Sequence, residues 1–100
     1  MSLIRQLLIR ELMLKHIERE LQSSQSWTKG VFESLQKRVS DELIQVRRQM
    51  HRSGTFIMEK QWKKQDVFIQ FKWNNKVFEV PYTLPMLEAE ALGRLEHMLD

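Results

Sequence analysis

The sequence predicts an α+β fold of two long N-terminal helices, a three-stranded antiparallel meander and a closing C-terminal helix. Three observations carry this. Apolar residues recur every three to four positions up to Ser53, the period changes to two from Thr55, and a Thr-x-Pro start restores the helical spacing after Thr83. With 100 residues and an apolar fraction of 42%, the chain reads as one domain, residues 1–100, with one core. Within it, residues 1–54 form a helical hairpin, 55–83 the meander and 84–100 the closing helix.

The first helix is expected over Leu3 to Leu21. Leu3, Ile4, Leu7, Leu8, Leu14, Ile17 and Leu21 share one side at 100° per residue, whereas Ile9, Leu12 and Met13 fall on the other. An apolar surface this wide means burial on two sides. Either a partner chain covers the second side, or the helix is the central one of a small core. The polar run 22–26 (Gln-Ser-Ser-Gln-Ser) breaks the pattern and offers cap oxygens for the next helix. That helix is expected over Lys29 to Ser53, with Phe32, Leu35, Val39, Leu43, Val46 and Met50 as its buried stripe. Gly54 is suited to the left-handed residue that ends it, and Arg47, Arg48, His51 and Arg52 complement the negative end of its dipole.

Asn74-Asn75 predicts a two-residue hairpin turn, because Asn tolerates positive φ. The turn dictates the register: Trp73 opposite Lys76, Phe71 opposite Phe78, Ile69 opposite Val80 and Val67 opposite Tyr82 line one apolar face. Lys72–Val77, Gln70–Glu79 and Phe68–Pro81 form the other, solvated face. A further strand is expected at Phe56 to Trp62, with Lys64-Gln65 at the tip, Trp62 opposite Val67 and Met58 opposite Phe71. This puts Phe56, Met58 and Trp62 on the apolar face and leaves Lys60 there as a misfit. Pro81 suits an edge strand. Thr83 and Pro85 start the last helix, whose inner face is Leu84, Leu87, Ala91, Leu92, Leu95 and Met98, with Gly93 as a place for close packing.

The absence of cysteine excludes disulfide scaffolds, thiol nucleophiles and iron–sulfur sites. The apolar runs near the N-terminus are too short, and too often interrupted by charge, for a signal peptide or a membrane span. The chain is therefore expected to be soluble and cytoplasmic, with no membrane partner. Gly30, Gly54 and Gly93 stand alone, so no glycine-rich phosphate loop exists, and neither an HExxH motif nor a nucleophile elbow is present. His16 and Glu20 at i, i+4 lack the further ligands of a metal site. No catalytic residue, metal or cofactor is expected.

Charge is more informative. Residues 1–54 hold ten Lys and Arg against six Asp and Glu, residues 55–83 five against three, and residues 84–100 one against four. A basic body thus precedes an acidic terminal helix. The preferred expectation is a small non-catalytic interaction or regulatory module, self-associating or protein-binding through Ile9, Leu12 and Met13. The alternative is nucleic-acid binding through Lys37, Arg38, Arg47, Arg48 and Arg52 on the second helix with Lys63 and Lys64 at a strand turn. From residue 31 onward the order helix, three strands, helix resembles the topology of double-stranded RNA-binding domains. Where those domains place lysines at the start of the last helix, this chain reads Thr83-Leu-Pro-Met-Leu-Glu-Ala-Glu90, so the resemblance implies no function here. Trp27, Trp62 and Trp73 serve either as partly buried core or as stacking surfaces, and Trp73 is placed to meet Lys76.

Overall fold

Helix α1 (Leu3–Ser23) is the spine of the molecule, with every other layer packed around it. The computed structural model describes residues 3–23 and 26–99, without the side chains of residues 26 and 27. The expected cap oxygens of Ser24 and Gln25 and the side chain of Trp27 lie outside the described residues. After α1 come α2 (Ser26–Arg52), β1 (Thr55–Trp62), β2 (Asp66–Trp73), β3 (Lys76–Thr83) and α3 (Leu84–Leu99). The α+β architecture follows the sequence pattern, with α2 beginning a turn earlier than its apolar stripe.

The second apolar side of α1 is filled from within the chain. Ile9 is 0% and Met13 1% exposed, and both belong to one core with Leu35, Val39, Leu43 and Val46 of α2 and Leu87, Ala91 and Leu95 of α3. Leu12 is half-buried against the same core. Of the partner surface expected at Ile9, Leu12 and Met13, Ile9 and Met13 are therefore monomer core, because α3 packs on α1 beside α2, while Leu12 stays at the margin and lines two open clefts. Each core side chain contributes about 1.5–3 kcal/mol by leaving water. The radius of gyration, 14.8 Å, exceeds the roughly 13 Å of a compact domain this size. Long helices account for the excess, since the longest extent is 49 Å.

The sheet is a meander in the order β1-β2-β3, antiparallel throughout. The β2–β3 register is the one the turn dictates, Trp73 to Lys76 through Val67 to Tyr82. Asn74 and Asn75 have φ of 55° and 64°, the left-handed pair that a type I′ turn requires. Replacing both by alanine is expected to cost about 1–2 kcal/mol, read as a lower urea midpoint at unchanged slope. Asn75→Gly is expected to shift the midpoint the other way.

Strand β1 departs from expectation. A bulge between Ile57 and Glu59 puts Ile57, not Met58, opposite Phe71. Phe56 then pairs with Lys72 on the outer face, and Phe56 and Met58 are half-exposed instead of joining the core. One extra residue breaks the period of two, so positions before it change sides. Trp62 keeps its place opposite Val67, and Lys60 turns inward opposite Ile69. Leu92 is 42% exposed and lies at the margin of the inner face of α3, where it lines a cleft with Leu12 and His16 of α1. An added Cβ on Gly93 would meet nothing within 4 Å, so no close packing occurs there. Gly54 takes the expected left-handed conformation after α2, with φ of 75°. Among the described residues no helix is long and apolar enough to cross a membrane.

Candidate interaction surfaces

The cations singled out in the sequence do not form one surface. Lys37 and Arg38 lie exposed at mid-α2, with Lys37 Nζ 3.4 Å from Asp41 Oδ2. Arg47, Arg48 and Arg52 are exposed in its last turns. At 1.5 Å per residue, Lys37 and Arg52 stand roughly 22 Å apart along the helix. Lys63 and Lys64 occupy the β1–β2 turn, at the end of the sheet remote from Arg52. Strand length puts them about 25 Å further off. The chain thus brings Arg47, Arg48 and Arg52 together and separates them from both other pairs.

What the sequence did not reveal is the company these arginines keep. Thr55 follows α2 almost directly and pairs with Trp73, so the end of α2 meets the β2–β3 hairpin end of the sheet. There the helices no longer cover the strands. Phe56, Trp73, Val77 and Phe78 are between 38% and 54% exposed. Phe71 and Phe78 stack at 5.4 Å, Trp73 lies 6.2 Å from Phe78, and His51 meets Phe56 edge-on at 6.0 Å. The ring contact of Trp73 is thus with Phe78, and Lys15 Nζ lies over the ring of Trp62, 6.0 Å from its centroid. Lys72 and Lys76 belong to the same end by register. No ion pair engages Arg48, Arg52, Lys72 or Lys76 among the described residues. Register puts Trp73, Phe78 and Lys76 on the inner face and Phe56, Val77 and Lys72 on the outer one, so exposed apolar side chains and unpaired cations share this end of the sheet, the composition of a contact surface.

A second feature runs between α2 and β1. Lys60 Nζ lies 2.9 Å and 2.6 Å from the two carboxylate oxygens of Glu11, and Arg47 Nη2 is 3.9 Å from Glu11 Oε2. The misfit lysine of the apolar face was the available signal; its partner, distant in sequence, was not readable. Elsewhere, Glu90 of α3 takes ion pairs from Arg5 of α1 and Arg94 of its own helix, while Arg10 lies 3.3 Å from Glu42. These contacts tie the three helices together. His16 Nε2 and Glu20 Oε1 are 3.7 Å apart, and no group of three potential metal ligands occurs among the described residues.

Fold and surfaces together define a small α+β protein with a helical layer on one face of a meander and an aromatic, cationic end. The chain belongs to the YhjD family: the model of that family, described as YhjD protein, matches residues 1–100. No curated protein and no solved structure matches the chain.

Proposed function

We propose that the protein is a non-catalytic interaction module of the cytoplasm that docks an acidic protein segment bearing apolar side chains. The observation that carries this reading is the hairpin end, where Trp73 and Phe78 lie exposed on one face of the sheet with Lys76 opposite Trp73, and where the last turn of α2, with Arg52, leads into Thr55 opposite Trp73. Exposed rings in such a patch provide much contact area at little entropic cost, and the unpaired cations favour a partner of opposite sign. Self-association loses its sequence motive, since Ile9 and Met13 are spent inside the monomer. A two-fold pairing of this end would also bring like charges face to face.

Nucleic-acid binding needs a longer cationic track, and here the cations fall into three separate groups, with Glu59 and Glu79 exposed on the outer sheet face. The test is fluorescence anisotropy with labelled acidic peptides carrying Leu and Phe, beside labelled single- and double-stranded oligonucleotides, at about 50 and 200 mM salt. Micromolar peptide binding is expected, weakened about tenfold in Trp73→Ala/Phe78→Ala and unchanged in Lys63→Glu/Lys64→Glu. Tighter binding of oligonucleotides that collapses with salt would replace this reading with the nucleic-acid one. A peptide signal indifferent to the aromatic pair would overturn the assignment of the surface.

A further inference from the structure

Between α2 and β1 the surface of α1 lies at the bottom of an open groove. Arg47 and Lys60 line both of its parts, a cavity of about 400 Å³ towards Phe56 and one of about 350 Å³ towards Trp62. The larger part has Leu7, Met50 and Ile57 as its apolar lining and Arg47, His51 and Lys60 as its polar groups. Its volume falls within the roughly 300–1,000 Å³ of small-molecule sites.

The charges here do not balance. Glu11 is the single carboxylate paired with these cations among the described residues, and Lys60 holds both of its oxygens at hydrogen-bond distance. Arg47 stands 3.9 Å away, beyond hydrogen-bond reach, with its side chain 59% exposed. Over both parts of the groove two carboxylates, Glu11 and Glu18, face three permanent cations, Lys15, Arg47 and Lys60, and the guanidinium fork is left unfilled. A guanidinium matches a carboxylate through two parallel hydrogen bonds, which a second lysine would not provide.

We propose that this groove binds a small monocarboxylate with an apolar body. The carboxylate pairs with Arg47, supplying the one negative charge the cluster lacks, and the body lies on Leu7, Met50 and Ile57. Phe56 lies at the edge of the groove, but Trp73 and Phe78 do not line it, so variants at Trp73 and at Arg47 tell this site from the docking surface at the hairpin end.

The experiment is an amide-resolved NMR titration with octanoate, run in parallel with octanol and octylammonium. Saturable shifts are expected at Leu7, Met50, His51 and Ile57, with octanoate at least about tenfold tighter than either control. Arg47→Ala should lose about tenfold. Glu11→Gln, which frees Lys60, should bind octanoate several-fold more tightly, a gain that a merely greasy groove would not show. Trp73→Ala should leave the affinity unchanged, whatever it does to peptide binding. Equal binding of octanol, an unaltered affinity in Arg47→Ala, or no saturable shift at these amides would overturn the proposal.

Discussion

Replacing Ile9 or Met13 with lysine is expected to unfold the protein, not to release a partner. Both side chains are sealed in the core, where α1 meets α2 on one side and α3 on the other. Truncating a buried aliphatic residue to alanine costs about 2–5 kcal/mol, and an uncompensated charge in its place costs more. Against a total stability of about 5–15 kcal/mol, either lysine variant approaches or exceeds what the fold can lose. Far-UV circular dichroism during urea unfolding reads the effect directly. A variant with an unchanged midpoint but altered sedimentation would show that these residues face another chain after all.

The second large effect concerns the ion pair under β1. Glu11→Ala is expected to lower stability by about 1–3 kcal/mol, because Lys60 keeps its charge while most of its side chain is shielded from water. Removing both charges with Glu11→Leu/Lys60→Met should recover most of that loss, since Leu7, Leu43 and Ile57 line the same groove and can pack against the new side chains. A double-mutant cycle separates the two contributions. If the double variant is no more stable than Glu11→Ala, the pair is needed for the path of β1 and not only for neutrality.

The hairpin was legible because one local feature decides everything downstream of it. Two asparagines able to take positive φ set the turn, and strict alternation then assigns every side chain of β2 and β3 to a face. The same alternation misled in β1, where the bulge between Ile57 and Glu59 carries no residue-type signature, neither glycine nor proline. Counting back from Trp62 therefore put Phe56 and Met58 inside. The width of the apolar surface on α1 was also legible, but not what covers it. Ile9 and Met13 look the same in sequence whether α3 or another chain lies across them. Charge placement was the least readable: Arg48 and Lys64 are both simply exposed cations until the strands set their distance. Glu11 and Lys60 could be recognised as a pair only from the fold, since nothing local links them.

The central position of α1 also orders events in time. During synthesis α2 can pair with α1 as soon as both have emerged, burying Leu35, Val39 and Leu43 against it. The other side, with Ile9 and Met13, stays bare until α3 is made, and α3 is separated from α1 by all of α2 and the whole meander. A helix made early is thus completed only by a helix made late. In the interval the nascent chain displays a greasy strip of the kind holdase chaperones grip, and ribosome stalling before Leu84 would leave the product open to proteolysis.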